Sequence, residues 1–379
     1  MENRDCYEIL LNYKCNLNCS FCSQGDYDRS LYMSKEDIFK EIYKAKKAGY
    51  KKLGLSGGEP TIRKDLVEII KFAKKTGFNF IRIQTNGLAL SDYNFAKELK
   101  EAGLTFCKFS LTSNDPKIHD MLTGVKNSYQ KVIKAIGNMK RLKIRIGNNI
   151  LINKYNYDKL PEIIEFLLDM GVSNFVVIYP IYTGNMLYNH KKIGISLGKC
   201  EKFFIRAIEI MSENNMTNEI LFLNVPPCFL KGYEENLIGI SAFNTVVKSP
   251  HRDLINLDDR TNSNKIRGDV CKKCVFKTKC DGVDKEYVKI FGWEGFEPIH
   301  KKSEKKKIYF TDDEKCLLEI LKKGKGKMQV EQIIKLSKKV PLCQSCQDAN
   351  NVINAATSLS VKKIVEIEFK KGKYYFSLL

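Results

Sequence analysis

Three cysteines stand close together near the start of the sequence. Cys15, Cys19 and Cys22 have the spacing C-x3-C-x2-C and follow the first apolar run of the chain. Three thiolates in one short loop can hold three of the four irons of a 4Fe–4S cluster, because each cysteine needs only one metal atom. The fourth iron then has no protein ligand and is open to a chelating molecule, as in catalytic metal sites that keep a free position. The spacing alone would also fit a zinc site.

A second group of cysteines lies in the last third of the chain. Cys271, Cys274 and Cys280 have the spacing C-x2-C-x5-C, and Cys228 precedes them. Four thiolates can saturate an auxiliary 4Fe–4S cluster or hold a structural zinc. We expect the auxiliary cluster, with zinc and free thiols as the alternatives. The pair Cys343-x2-Cys346 has no second pair nearby and is predicted to be buried or incidental.

The sequence that must position the first cysteine group alternates short apolar runs with amphipathic stretches. This alternation predicts parallel βαβ units, which present reactive residues in the loops that follow their strands. The predicted strands are Tyr7–Tyr13, Lys52–Leu55, Phe80–Gln84, Phe106–Leu111, Ile144–Ile152 and Asn174–Tyr179. The predicted helices are Ser34–Ala48, Lys64–Thr76, Ser91–Ala102, Ser128–Arg141, Leu160–Met170 and Ser196–Ser212.

The pattern changes after about residue 215. We predict a core domain over 1–215, an auxiliary metal region over 216–300, a charged linker over 301–307 and a small C-terminal domain over 308–379. The last domain shows three helical patterns followed by a hairpin, which is the element order of a winged helix-turn-helix.

The motifs around the first cysteine group identify the chain as a suspected member of the radical S-adenosylmethionine (SAM) superfamily. The loop Cys15–Cys22, with Phe21 before its last cysteine, resembles that family's cluster loop after the first strand of a partial (β/α)6 TIM barrel. Gly57, Gly58, Glu59 and Pro60 resemble its GGEP motif, whose residues contact the SAM amino group. The family's other SAM-contacting positions are matched by Thr85, Asn86, Ser110 and Asn148.

The resemblance implies an α/β fold and reductive cleavage of SAM to a 5′-deoxyadenosyl radical that abstracts a substrate hydrogen. It implies an electron donor such as flavodoxin or ferredoxin. The second cysteine group resembles the SPASM and twitch auxiliary regions, and the shorter twitch form fits better because no cysteine follows soon after Cys280. No catalytic residue is assigned. His119 is predicted to be a surface or helix-capping residue.

Charge leaves several partners open. The chain carries 64 basic and 44 acidic residues, a net charge of +20, which suits nucleic acid, a phosphorylated small molecule or an acidic peptide. A solvated lysine-rich surface without a charged partner is an equal alternative explanation of this excess. The N-terminus is charged and no apolar run is long enough to span a membrane, so we expect a cytoplasmic protein without membrane contact.

Three functions therefore remain. The first is a peptide- or protein-modifying enzyme, which the run Ser110–Gly124 favours by its resemblance to that branch of the superfamily. In such enzymes a winged-helix-like module captures the leader of a precursor peptide. The second is small-molecule chemistry like that of the molybdenum cofactor biosynthesis A family, which ends in Gly-Gly whereas this sequence ends Ser377-Leu378-Leu379. The third is modification or regulation of nucleic acid through the basic C-terminal domain, where Lys362, Lys363, Lys370, Lys371 and Lys373 could contact phosphates.

Overall fold

The computed structural model of the chain describes residues 6–239, 245–256, 264–301, 311–324, 326–338, 348–361, 364–370 and 372–378. The chain divides into two compact units. The first unit comprises residues 1–208 and 218–303, and the second comprises residues 209–217 and 304–379. Most of the predicted core domain and the predicted auxiliary region thus belong to one compact unit.

The first unit is built on one large sheet. Over the described residues its strands are β1 (Cys6–Leu10), β2 (Lys52–Ser56), β3 (Phe80–Gln84), β4 (Phe106–Phe109), β5 (Arg145–Leu151), β6 (Asn174–Ile178), β7 (Ile220–Leu223), β8 (Thr245–Ser249) and β9 (Arg252–Asn256). They lie in the order β7-β6-β5-β4-β3-β2-β1-β8-β9, with β1 to β7 parallel and β9 antiparallel to β8. The six predicted strands are confirmed, and the sheet curls into the half-barrel of a partial TIM barrel. The parallel run continues through β7, beyond residue 215.

Helices connect the consecutive parallel strands, as the alternating pattern predicts. They are α1 (Lys35–Lys47), α2 (Leu66–Lys75), α3 (Tyr93–Ala102), α4 (Pro116–Thr123), α5 (Ser128–Arg141), α6 (Leu160–Asp169), α7 (Gly184–Tyr188), α8 (His190–Ile193) and α9 (Leu197–Glu213). Local signals set their ends. Ser34 accepts a hydrogen bond from the backbone N–H of Asp37 at 3.1 Å and caps α1. The chain leaves that helix at Gly49, whose φ of 87° suits a residue without Cβ.

The two faces of the sheet have different surroundings. Side chains alternate along a strand, so each strand sends one set of residues toward the helices and the other to the opposite face. Tyr7 donates to Glu41 of α1, which places the odd-numbered residues of β1 on the helix side. Glu8 and Arg82 form an ion pair on the opposite face, which we call the inner face.

The remainder of the first unit is made of short elements after β7. A two-stranded ladder joins β10 (Lys265–Ile266) to β11 (Val283–Asp284), and α10 (Lys285–Phe291) follows it. The rings of Tyr287 and Phe296 lie 5.8 Å apart, and the rings of Phe229 and Phe296 lie 4.9 Å apart. Aromatic packing therefore holds a segment that contains little regular structure.

The second unit has three helices and a small sheet in its described part. These are α11 (Asp312–Gly324), α12 (Val330–Ser337) and α13 (Ala349–Val361), with β12 (Met328–Gln329), β13 (Val365–Lys370) and β14 (Lys373–Leu378). The sheet order is β12-β14-β13, all antiparallel. Its core includes Leu317, Ile333, Val352 and Phe376. Three helices followed by a hairpin are thus confirmed as elements, β12 is an addition, and the winged-helix assignment stays a prediction.

Some predicted features lie outside the described residues. These are most of the linker over 301–307, the pair Cys343 and Cys346, and the wing residues Lys362, Lys363 and Lys371. Across the described ranges, none of the helices has both the length and the apolar composition that crossing a lipid bilayer requires.

The packing of α2 on the sheet gives a test of the first unit. Ile69 is fully buried on this helix, whereas Lys71, two residues on, is exposed. We expect Ile69→Ala to lower the free energy of unfolding by about 2–5 kcal/mol, because the substitution removes buried methyl groups and leaves a cavity. Urea unfolding followed by circular dichroism would measure the change, with Lys71→Ala as the matched control. Equal midpoints for the two variants would contradict this packing.

Candidate metal centres and cofactor site

The first cysteine group lies in the loop that follows β1, at the carboxyl end of the parallel strands. Cys15, Cys19 and Cys22 are partly buried and are not joined in disulfides. Burial raises the pKa of Cys15 and Cys19, and neighbouring thiols raise it further, so the sulfurs lie close enough to interact. Among the described residues no three Cys, His, Asp or Glu side chains converge tightly enough for a single metal ion. Three neighbouring thiols suit a cluster, in which each binds its own iron.

Two segments hold this loop from opposite sides. At the end of α4, the carbonyls of Leu122 and Thr123 accept the backbone N–H groups of Ser20 at 2.8 Å and Asn18 at 3.0 Å. On the other side, Asn185 donates its backbone N–H to the Cys22 carbonyl and its side-chain amide to the Cys19 carbonyl, both at 2.9 Å. The cysteine loop is therefore positioned by hydrogen bonds to its backbone, which do not use the sulfurs.

The clamp by Asn185 was not predicted from the sequence. Its partners are more than 160 residues away along the chain. A Cβ atom on Gly184, at φ 54°, would lie 2.7 Å from the Cys22 carbonyl oxygen. The only available signal was the Thr183-Gly184-Asn185 sequence after a predicted strand, in the loop position where site residues gather.

Gly57 and Gly58 bring the end of β2 against the cysteine loop. A Cβ atom on Gly57 would lie 2.3 Å from the Asn12 carbonyl oxygen, and one on Gly58 would lie 2.3 Å from the Lys14 carbonyl oxygen. The backbone N–H of Gly58 donates to Asn12 at 2.7 Å, and the N–H of Glu59 donates to Lys14 at 2.9 Å. The glycines thus permit close backbone pairing beside Cys15, and their predicted contact with SAM stays a prediction.

Glu59 is completely buried and its carboxylate is saturated. One carboxylate oxygen accepts from the Thr61 backbone N–H at 3.0 Å, the Thr61 hydroxyl at 2.5 Å and the Thr85 hydroxyl at 2.6 Å. The other oxygen accepts from the Asn86 backbone N–H at 2.7 Å. Burial raises the pKa of Glu59, and these hydrogen bonds oppose the rise. In this structure the carboxylate joins the loops after β2 and β3, and its predicted contact with the SAM ammonium is untested.

Asn86 connects this arrangement to the cysteines. Its side-chain amide donates to the Asn16 side-chain oxygen at 2.7 Å and lies 3.8 Å from the Cys15 sulfur. Such amide groups near a ligating sulfur orient the ligand and tune a bound metal. Pro60 begins the short 3-10 turn that carries Thr61. Thr85, Asn86 and the GGEP residues are therefore brought together beside Cys15, as the sequence predicted.

Ser110 and Asn148 lie further along the same edge and differ in role. The Ser110 hydroxyl makes no hydrogen bond with any residue that the structure describes, so it is available to a ligand. Asn148 is fully buried, and its side chain exchanges two 2.9 Å hydrogen bonds with the backbone of Leu111. It braces β4 against β5. Alternation along β5 places the next residue, Asn149, on the face that carries Ser110.

His119 is a core residue. Its side chain is 2 % exposed, and burial lowers its pKa to about 4. Its Nδ1 lies 3.4 Å from the Thr112 hydroxyl, and its ring packs against Tyr129. The prediction of a surface or helix-capping histidine was wrong, because α4 turns this side chain inward onto the loop after β4. A neutral imidazole can pack in such a place without a charged partner.

The second cysteine group lines a cleft. Cys228, Cys271, Cys274 and Cys280 all border it, together with Trp293, Phe296, Pro226 and Pro227. Burial raises the pKa of Cys228 to about 12, and the other three thiols add to the rise. The structure therefore brings together the four cysteines that the sequence grouped. Trp293 and Phe296 were missed, although they follow the last cysteine in a run rich in glycine and aromatic residues.

Comparison with known proteins agrees with this geometry. Residues 9–167 match the family model of the radical SAM superfamily. The chain is 30% identical over 236 residues to a probable GTP 3′,8-cyclase of Sulfurisphaera tokodaii, an alignment that covers 59% of this chain and 74% of the relative. It is 38% identical over 160 residues to one of Pyrococcus abyssi, covering 42% of this chain and 51% of that protein. The chain belongs to the radical SAM superfamily.

Solved structures show the same fold. SuiB of Streptococcus suis bound to SAM superimposes with a TM-score of 0.57 at 15% identity, covering 79% of this chain and 77% of SuiB. The enzyme anSMEcpe with bound SAM superimposes with a TM-score of 0.55 at 17% identity. The superposition covers 74% of this chain and 89% of the anSMEcpe chain. These identities establish a common fold, and the archaeal relatives carry the closer sequence similarity.

The saturated Glu59 carboxylate leads to a prediction for Glu59→Gln. The amide offers only one acceptor oxygen, so its NH2 group must face a hydrogen-bond donor of the β2 or β3 loop. We expect a loss of about 1–3 kcal/mol in the free energy of unfolding, together with weaker SAM binding, because the loops beside Cys15 separate. Urea unfolding and calorimetric titration with SAM would measure both. Glu68→Gln, at an exposed ion pair with Lys35, is the control, and identical values for the two variants would refute the role of Glu59.

The clamp on the cysteine loop leads to a prediction for Asn185→Ala. This change removes the donor to the Cys19 carbonyl and lets the loop open. We expect reconstituted protein to lose iron to a chelator several-fold faster than wild type, since about 1 kcal/mol of loop stability is lost. Absorbance of the iron–chelator complex would follow the release. Asn94→Ala, at an exposed position on α3, is the control, and equal release rates in all three proteins would show that the clamp is unimportant.

Proposed function

We propose that this radical SAM enzyme abstracts a hydrogen atom from a peptide or protein substrate and has an auxiliary 4Fe–4S cluster. When bound, the first cluster and SAM supply one electron and a 5′-deoxyadenosyl radical. The observation that carries the proposal is the pair of cysteine groups in one compact unit, three in a loop beside the GGEP residues and four around a separate cleft. The single electron would come from a donor such as flavodoxin or ferredoxin.

The residues around the first site support binding of a cluster and SAM together. Cys15, Cys19 and Cys22 provide three ligands, and the loop is held by its backbone. Ser110 presents a free hydroxyl at the same edge of the sheet, which suits a hydroxyl or carboxylate of SAM. The chain's own contribution is to hold these groups rigidly and exclude water while the radical is near the substrate hydrogen.

The second site suits an auxiliary cluster. Its four thiols border one cleft, and their spacing resembles the SPASM and twitch regions. Four cysteines would leave no open iron, so this cluster would relay electrons rather than bind substrate. Trp293 and Phe296 would shield it from water.

The second unit supports a peptide partner. In its described part, β13 pairs only with β14, so its other edge has free backbone donors and acceptors. An extended peptide can add to such an edge as a further strand. Phe369 on this strand is 61 % exposed, and an exposed aromatic side chain beside an open edge suits a peptide side chain.

The same hairpin is less suited to nucleic acid than its lysines suggested. Lys327 contacts Glu368 at 2.6 Å and Glu366 at 3.7 Å, and Lys370 also pairs with Glu368. Carboxylates on β13 would repel phosphates and reduce the free positive charge of the wing. Nucleic acid therefore ranks behind peptide as a partner of this unit.

A second candidate function is cyclisation of GTP or a related small-molecule reaction. It rests on the archaeal relatives, which are named as probable GTP 3′,8-cyclases and share 30% and 38% identity with this chain. This chain spans 51% of the Pyrococcus relative, so the activity of that whole protein is only a candidate function for this chain.

Iron content tests the metal assignment. After anaerobic reconstitution we expect about eight irons per wild-type chain, falling to about four in the Cys15/Cys19/Cys22→Ala variant, since each cluster holds four. Loss of 5′-deoxyadenosine formation with dithionite should accompany the fall. Cys200→Ala, at a buried cysteine of α9, is the matched control. Four irons with one zinc would overturn the auxiliary cluster, and no iron with no 5′-deoxyadenosine would overturn the central proposal.

The substrate class can be tested with deuterium. Cells of the source organism grown in heavy water would supply a deuterated peptide fraction and a deuterated nucleotide fraction, each offered to the reconstituted enzyme with SAM and dithionite. Deuterium in 5′-deoxyadenosine from the peptide fraction alone would support peptide modification. Deuterium in 5′-deoxyadenosine from the nucleotide fraction, and again from deuterated GTP, would favour the second candidate function over peptide modification.

A further inference from the structure

The inner face of the sheet carries a buried lysine that has no partner. Lys108 is 6 % exposed, and its ammonium makes no hydrogen bond or ion pair with any residue that the structure describes. Phe109, its neighbour on β4, lies against Gly87 and beside Val132 of α5, which places Lys108 on the opposite, inner face. A buried amine without a partner costs free energy, so its presence calls for an explanation.

The register of the strands places other unused polar groups beside it. Lys108 pairs with Gln84 on β3 and with Gly147 on β5. Phe109 pairs with Asn148, so Ser110 and Asn149 are opposite each other one position further along. The Asn149 side chain is 8 % exposed, its Oδ1 is buried without a partner, and none of the described hydrogen bonds uses its amide.

Aromatic side chains fill the inner face on the amino-terminal side of Lys108. The rings of Phe80 and Phe106 lie 5.7 Å apart on the inner face, and the Arg145 guanidinium lies 5.5 Å from the Phe106 centroid. Gly147 adds no side chain beside Lys108, and a Cβ there would lie 2.7 Å from the Phe106 ring. Ser110 lies on the same face about 7 Å further along the strand, toward the expected position of SAM.

The charges around Lys108 define what could bind. Arg82 pairs with Glu8 at 2.5 Å, and Arg145 pairs with Glu219 at 2.8 Å. These four groups form two neutral pairs, so the protonated amine of Lys108 is the one positive charge left over among them. One carboxylate would neutralise it. A polyphosphate would bring several negative charges toward the fixed carboxylates of Glu8 and Glu219.

We propose that Lys108 and Asn149 form a binding site for a single carboxylate of the substrate, on the inner face of the sheet below Ser110. The ammonium of Lys108 donates to the carboxylate oxygens. The Asn149 amide also donates when it turns by about 180° and places its NH2 group where the unpartnered Oδ1 lies. An acidic side chain or a terminal carboxylate of a peptide fits this site. The inference rests on the proposed function for the identity of its substrate. The site would hold that substrate between Lys108 and the expected position of SAM.

The site can be tested without radical chemistry. Burial, with Arg82 as the second cause, lowers the pKa of Lys108 to about 7, and a bound carboxylate stabilises the ammonium and raises that pKa. Protein labelled with 13Cε-lysine, reconstituted but without SAM or reductant, would be titrated by NMR with and without acetate. We expect one lysine signal to titrate near pH 7, to be absent in Lys108→Met, and to remain in the exposed control Lys131→Met.

Acetate should raise the midpoint of that signal by about one pH unit or more, and Asn149→Ala should weaken acetate binding about tenfold. Orthophosphate is the comparison anion. A larger shift with orthophosphate would overturn the carboxylate assignment, and no shift with either anion would overturn the site. The titration contains no SAM, so a negative result would overturn the carboxylate site alone. The proposed function is tested separately, by formation of 5′-deoxyadenosine.

Discussion

The arrangement of the first metal site depends on one buried carboxylate. Glu59 accepts four hydrogen bonds from the loops after β2 and β3. A carboxylate removed from water is costly unless its acceptor positions are filled, so the carboxylate and its donors require each other. One of those loops pairs with the backbone before Cys15, and the other carries Asn86 to the Cys15 sulfur. The cysteine loop therefore takes its position from an interaction that touches no metal.

Much of this could be predicted from the sequence because the signals are local. Alternating apolar runs and helical patterns gave all six predicted strands, and the spacing of the cysteines gave both groups that the structure brings together. GGEP and Thr85-Asn86 were correctly expected at the ends of neighbouring strands. Parallel strands bring such ends to one edge whatever the details of packing. The burial of Glu59 was not predictable in this way, because it depends on donors from a loop 26 residues away.

The remaining features depend on register and on distant contacts. Asn148 and Asn149 are adjacent in sequence. Alternation sends Asn148 into hydrogen bonds with Leu111 and leaves the Oδ1 of Asn149 without a partner in the described part of the chain. The resemblance pointed to Asn148, and its contact with SAM stays a prediction. The alternation of the sequence does not show which side chains of β5 face the helices. Lys108 lies within an apolar run and was read as part of a core strand. The clamp by Asn185 required the loop after β6 to return to the loop after β1, which only the folded sheet shows.

The surroundings of the two cysteine groups differ in polarity, and this difference suits the two clusters that we propose. Four cysteines leave a cluster no open iron, so proline and aromatic side chains can pack around it without loss. A cluster with three must admit a ligand, and unused polar groups, Ser110, Lys108 and Asn149, lie on the adjoining inner face. Such groups destabilise the free protein. They persist in a fold when a ligand completes their hydrogen bonds, and that preorganised site then binds its ligand more tightly than a flexible one would.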